Sequence, residues 1–284
     1  MNLTTKALLV QLNISQWSAR KYDKRVTKVV NDSSGASSDA GRFNKALLPA
    51  ANKLEAIHKM STRIRNEYYK QTLPWGMEGT MLLPTANYMV FMADFNRMKN
   101  EWQYAVDAFV NDYPTLVSAA QQHLGSMYNP DDYPPVGVLA DKFSMGLSVM
   151  PVPSTDFRVE IGDDEMDRIK ADVEQRVKKA EQQAMGDLWK RLYERVKNIA
   201  ERLSDPTAVF RDSLLENAHE ICDILPRLNV ADDPNLTSLC DELLVVLDGK
   251  KPDALRTNLT VREDTAKQAQ AIADKMNVFM TGVM

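Results

Sequence analysis

Residues 8–15 alternate in polarity. Leu8, Val10, Leu12 and Ile14 share one face, and Leu9, Gln11, Asn13 and Ser15 the other. A period of two over eight residues predicts a half-buried strand. A short helix is expected over 23–30, and the Ser-, Asp- and Gly-rich stretch 31–41 reads as a mobile loop. From 43 to 70 the apolar steps lengthen to three and four at Leu47, Leu54, Ile57, Ile64 and Tyr68, which predicts a helix that Pro49 breaks or starts. Leu73-Pro74-Trp75-Gly76 stops it, and residues 80–83 form a short strand candidate. A second helix over 84–113 carries Tyr88, Phe91, Phe95, Met98, Trp102, Ala105 and Phe109, a broad stripe of the kind that fills a core. Phe143, Met145, Leu147 and Val149 alternate with Ser144, Gly146, Ser148 and Met150, predicting another strand that Pro151 and Pro153 close.

Beyond that point the pattern is helical only. Met166, Ile169, Val173, Val177, Ala180, Ala184, Leu188, Ile199 and Leu203 make one stripe, with Met166, Val177, Leu188 and Ile199 repeating every 11 residues. Eleven residues in three turns favour a straight or slightly right-handed packing helix over about 163–203. Asp163, Asp164 and Glu165 sit where negative charge complements the helix dipole. Asp205-Pro206 and Asp233-Pro234 read as helix starts, giving helices over 206–225 and 234–247, with Gly249 closing the second. Thr260-Val261-Arg262-Glu263 has capping-box form and opens a last helix to about 280. The expected fold class is α+β and predominantly α-helical: a small sheet packed by helices over 1–155, then a helical domain over 156–284.

Composition adds a polarity. The chain has 284 residues, 44% hydrophobic and 26% charged, values of a globular protein rather than a disordered or fibrous one. No run approaches about 18 apolar residues, and the opening residues lack the pattern of a signal peptide. With two cysteines only, Cys222 and Cys240, a reducing cytoplasm is the expected location. Residues 1–70 hold 13 basic and 5 acidic side chains, a net of +8, and the remainder 22 against 34, a net of -12. A basic segment in an acidic chain either meets an acidic partner such as nucleic acid or packs near the chain's own acidic helices.

Motifs that carry chemistry are missing. There is no glycine-rich phosphate cradle, nucleophile elbow, Cys-x-x-Cys or His-Glu-x-x-His. His219, Cys222 and Cys240 lack a fourth metal ligand and read as parts of a helical hairpin. Asp131/Asp132, Asp163/Asp164 and Asp232/Asp233 sit at turns and helix starts, where capping explains them. No catalytic residue, metal or cofactor is expected, although an active site assembled from distant residues leaves little trace in sequence.

Two surfaces are candidates for binding. Trp17, Arg20, Lys21, Tyr22, Lys24, Arg25 and Lys28 interleave aromatics with cations, as single-stranded nucleic-acid grooves do. Alternatively, Trp17 anchors the strand end in the core and the cations lie on the exposed side of a short helix. The stripe Met166, Ile169, Val173, Val177, Leu188 and Ile199 offers a surface to a partner helix, including that of a second copy.

The strand that runs into Leu12-Asn13-Ile14-Ser15-Gln16-Trp17-Ser18-Ala19-Arg20-Lys21 resembles the "domain of unknown function 3150" family of phages and mobile elements. So does the later order of Tyr68-Tyr69, the Leu73-Pro74-Trp75-Gly76 turn, a Pro84-initiated helix and the strand at 143–149. The resemblance spans about residues 7–160. The family has no established activity and no known catalytic residues to carry over. The resemblance implies a component, adaptor or target of an ATP-driven remodelling system, with a MoxR-type AAA+ ATPase as partner, or a factor in phage or plasmid DNA metabolism. The expected function is therefore a non-enzymatic, oligomeric assembly or adaptor protein, off the membrane. The alternative is a single-stranded nucleic-acid-binding protein that uses the basic N-terminal segment.

Overall fold

The computed structural model describes residues 3–49, 51–156 and 163–280. In chain order the elements begin α1 (Leu3–Lys6), β1 (Ala7–Ser15), β2 (Arg20–Tyr22), α2 (Lys24–Ser33), β3 (Asn44–Ala46) and α3 (Asn52–Lys70). They continue with β4 (Leu73–Pro74), β5 (Thr80–Pro84), α4 (Thr85–Leu124), α5 (Val136–Ala140) and β6 (Ser144–Pro151). The last are α6 (Asp163–Ser204), α7 (Ser213–Leu228), α8 (Pro234–Leu247), α9 (Pro252–Thr257) and α10 (Leu259–Met280). The fold is α+β and mostly helical. One sheet has the order β4-β5-β1-β6, and β2 pairs with β3 in a separate ribbon. β1 runs antiparallel to β5 in the register Ala7↔Pro84 to Gln11↔Thr80.

The chain divides into two compact units: 1–11 with 68–92 and 148–284, and 12–67 with 93–147. They interleave in sequence and do not meet at 155/156; part of the expected boundary, 157–162, lies outside the described residues. The Pro-rich stretch marks a change in secondary structure. What decides the unit is where apolar side chains are buried, and Leu9, Leu73, Trp75 and Leu82 are buried in one core with the C-terminal helices.

In the first unit α6 is the central element, and α10 packs on it most extensively. Leu188, Trp189, Leu192, Val196, Ile199 and Leu203 of α6 are buried with Leu225, Leu243, Ala269, Ile272 and Ala273. Polar links fix the sheet side of this unit. Arg191 donates to the carbonyls of Lys70 (3.1 Å) and Thr72 (2.9 Å) and pairs with Asp187 at 2.6 Å. The buried Asn87 amide donates to Gln71 O at 3.0 Å and accepts from Arg227 Nε at 3.1 Å.

The C-terminus of α6 has its own plug. Its last carbonyls have no intrahelical donor. Arg262, only 4% exposed, supplies two of them, donating to Leu203 O at 3.1 Å and Arg202 O at 2.9 Å, and it also ties down the turn that follows by donating to Ala208 O at 2.9 Å and to Asp205 O. Its guanidinium and that of Arg256 both lie over the Phe210 ring, at 5.3 and 5.2 Å.

Caps decide the three expected helix starts, correcting two of them and bearing out one. Asp205-Pro206 does not start a helix: the Asp205 carboxylate accepts from Thr207 N at 2.8 Å and Oγ1 at 2.7 Å in a turn, and α7 begins at Ser213. Asp233 does cap α8, accepting from Asn235 N at 2.9 Å with Pro234 in the first turn. α10 opens on Asn258, whose side chain accepts from Val261 N at 3.2 Å, and not on Thr260. Asn is among the best caps, and it stands two residues earlier.

In the second unit α3 and α4 face each other across Ile57, Ile64, Phe95, Trp102, Phe109 and Tyr113, with Phe143 and Met145 in the same core. Trp102 Nε1 donates to Ser61 Oγ at 2.8 Å, which in turn donates to Ile57 O at 2.9 Å, so the buried indole proton is satisfied. The aromatic stripe is core, as its width predicts. α4 continues through Pro114 to Leu124 rather than stopping at 113.

Candidate nucleic-acid interface

β1 ends in a segment that is pinned from within the second unit. The Trp17 ring meets Tyr113 edge-on at 5.7 Å, and its carbonyl lies 2.9 Å from His58 Nε2. Ala19, at φ 51, turns the chain, and its carbonyl accepts from Leu47 N at 2.8 Å. Trp17 is thus half-buried against its own core and is not a free stacking platform.

The chain then makes an excursion, β2–α2–loop–β3, that closes as a ribbon in the register Arg20↔Ala46, Lys21↔Lys45, Tyr22↔Asn44. Asp23 caps α2 by accepting from Val26 N at 3.0 Å. That N–H, with Lys45 and Arg25 nearby, holds the Asp23 carboxyl below the ordinary carboxylate range.

α2 is amphipathic in an inverted sense. The side chains it buries are polar: Thr27 and Asn31, four apart on one face. Thr27 Oγ1 accepts from Phe43 N at 3.0 Å, and Asn31 Nδ2 donates to Ser38 O at 3.2 Å and Gly41 O at 3.4 Å. These bonds order the loop that composition reads as mobile. Gly41 leaves room for this packing: a Cβ there would sit 3.0 Å from Asn31 Oδ1, so the amide would have to shift by a few tenths of an ångström. Lys24, Arg25, Lys28, Val29 and Val30 are left on the exposed side.

A buried cation joins this module to the rest of its unit. Lys45, 6% exposed, pairs with Asp132 at 2.7 Å and Asp23 at 3.7 Å, and donates to Met127 O at 2.6 Å. Arg25 also leans inward, donating to Ser126 O at 2.9 Å.

Among the described residues, Arg20, Lys21, Lys24 and Lys28 are exposed and face no carboxylate within ion-pair distance. Arg42 joins them: its guanidinium lies 5.3 Å from the centre of the exposed Tyr22 ring. Sequence reasoning missed Arg42, because only the β2–β3 register carries it from the far side of the loop to Tyr22. Residues 20–46 hold seven cations and three carboxylates, a net of +4, and the best-placed carboxylate, Asp23, already serves Val26 and Lys45. The α6 surface contrasts with this: Arg168, Arg176, Lys190, Arg191 and Lys197 each pair with a carboxylate three or four residues away.

The second candidate surface divides. Leu188 and Ile199 are fully buried in the chain's own core and present nothing to a partner. Met166, Ile169, Val173 and Val177 are half-exposed. Cys222 and Cys240 are free and buried, with Cys222 Sγ donating to Cys240 O at 3.7 Å; the side-chain interaction of the two thiols, together with burial, pushes the Cys240 thiol far above its ordinary range. No group of three or more His, Cys, Asp or Glu side chains placed to hold a metal occurs among the described residues. No helix among them is long and apolar enough to cross a membrane. No family model, curated protein or solved structure matches the chain.

Proposed function

We propose that this chain binds nucleic acid through the β2–α2–β3 module, as a component of a larger assembly. One observation carries the reading: Arg20, Lys21, Lys24, Lys28 and Arg42 are exposed cations that no carboxylate among the described residues offsets, on a module held rigid by Asp23, Thr27, Asn31 and Lys45. Cations held without counter-charges favour a partner that brings a dense row of negative charge. Phosphate contact is the main interaction. Stacking is a minor one, because Trp17 is committed to the core and Tyr22 to Arg42. A MoxR-type AAA+ ATPase is the partner that the family resemblance adds, with this chain as the adaptor between ATPase and nucleic acid.

The test is a titration of the protein into labelled single- and double-stranded oligonucleotides at about 50 and 200 mM salt. Five neutralised phosphates on a single strand give a slope of about -3.5 in log affinity against log salt, roughly a hundredfold loss over that range. Changing Arg20, Lys21, Lys24 and Lys28 together to Ala should remove most of the affinity and flatten the slope to about a fifth. Changing the paired Lys190 and Lys197 to Ala should leave both intact. A wild-type chain that binds neither oligonucleotide at about 50 mM salt overturns the proposal, as does a quadruple variant that binds like wild type.

A further inference from the structure

The first four turns of α6 are an apolar stripe with an unusual charge order. Met166, Ile169, Val173 and Val177 stay half-exposed, whereas the same stripe from Ala180 onward is buried by the chain's own helices. Residues 163–167 carry four carboxylates and no cation: Asp163, Asp164, Glu165 and Asp167. Residues 176–179 carry three cations and no carboxylate: Arg176, Lys178 and Lys179. The segment is therefore negative at one end, positive at the other and apolar along one side between them.

We infer that this segment is a self-association surface, and that two copies of the chain pair through it in antiparallel sense about a two-fold axis near Ala171 and Asp172. A two-fold interface must be complementary to itself, and the charge order satisfies this in one direction only. Antiparallel pairing sets the acidic turn of each copy beside the basic turn of the other. Parallel pairing would crowd four carboxylates against four. With the axis at that point, Met166 meets Val177 of the second copy, and Ile169 meets its Val173. Glu165 and Arg176 lie on one flank of the stripe, Lys170 and Glu174 on the other, so Glu165 faces Arg176 of the second copy and Lys170 faces its Glu174. The local pairs Arg168–Glu165 (2.6 Å) and Arg176–Asp172 (2.8 Å) are exposed and weak, so exchanging them across the interface is cheap. Grooves of about 740 and 510 Å³ flank Val173 and Val177, between this segment and Pro153 and Trp75, and leave room for a neighbour's side chains. The segment 163–179 is about 25 Å long at 1.5 Å per residue, and a seam that short fits a weak, reversible dimer rather than an obligate one.

The test uses the full chain without nucleic acid, so its outcome is independent of the module's function. Sedimentation velocity from about 1 to 200 μM should show a monomer–dimer equilibrium. Glu165→Lys and Arg176→Glu should each weaken it about tenfold, because each change acts twice across the axis. The double variant should restore it. Oxidising a mixture of Met166→Cys and Val177→Cys chains should give a mixed disulfide that the mixture forms faster than either chain alone. Circular dichroism verifies that each variant is folded. A chain that stays monomeric at 200 μM overturns the inference. So does a Met166→Cys chain that crosslinks readily to itself, which is the parallel arrangement, or a double charge variant no better than the singles.

Discussion

Replacing Arg262 with Met tests whether one side chain closes the C-terminal end of α6. The substitution keeps the apolar length of the side chain and removes every donor. Four carbonyls, those of Arg202, Leu203, Asp205 and Ala208, lose a charged partner, and Phe210 loses one of the two guanidiniums over its ring. A hydrogen bond to a charged group contributes about 1.5–3 kcal/mol. Water rescues the outer carbonyls, and Met avoids the desolvation of a buried cation, so the sum falls well below four times that value. The expected loss is about 3 kcal/mol, or a drop of roughly 6–12 °C in Tm at 2–4 °C per kcal/mol. Arg262→Lys should lose about half as much, because an ammonium cannot reproduce the planar fork. Arg256→Met is the control: its side chain is 35% exposed and it shares the same ring, so it should lose under about 1 kcal/mol. Thermal melts give the magnitude, and amide exchange over 196–208 gives the location. Equal melts for the Arg262 and Arg256 variants would refute the assignment of Arg262 as the plug.

Three further outcomes are expected. Lys45→Met leaves Asp23 and Asp132 without their cation and should destabilise the second unit by about 3–5 kcal/mol at pH 7, a loss that urea melts measure. Ser61→Ala strands the buried Trp102 indole N–H and should cost about 1–3 kcal/mol, with a shift in tryptophan emission as a second readout. Burial pushes the Tyr113 and Tyr133 hydroxyls up to about 12, with their neighbouring tyrosines adding to it. A raised folded value means that their stabilising effect is complete below the unfolded value of about 10 and is lost as pH climbs from 10 to 12. Spectrophotometric titration at 295 nm should find two late tyrosinates that ionise as the second unit unfolds, and Tyr133→Phe should remove one of them.

The elements were legible in the sequence wherever one period ran long enough. β1, α4 and α6 follow from alternation or from three-and-four spacing, because each must bury one side. What the periods do not carry is which side chains from distant segments share a core. Leu9 and Leu82 are buried with the C-terminal helices rather than with the neighbours that follow them in the chain, and nothing local in β1 encodes that. The start of α7 was misread because Asp-Pro suits a tight turn as well as a first helical turn, and Thr207 decides between them. The basic module was visible as composition, but its surface was not. Trp17 and Arg25 look like the other members of the cluster until Tyr113 and Ser126 are seen to engage them, and Arg42 is hidden behind a loop whose order depends on Thr27 and Asn31.

The interleaving of the two units also orders events during synthesis. The second unit, 12–67 with 93–147, has all its residues once position 147 has left the ribosome. The first unit needs the helices that end at Met280, although its strand at 7–11 is among the earliest residues made. At about 5–20 residues per second, some 130 residues separate these points by roughly 7–26 seconds. Through that interval Leu9, Leu73, Trp75 and Leu82 have no C-terminal helices to be buried against, and a chaperone that holds short apolar segments has its window there. A chain stalled or truncated before α6 would present that strand and hairpin to whatever captures unfinished proteins.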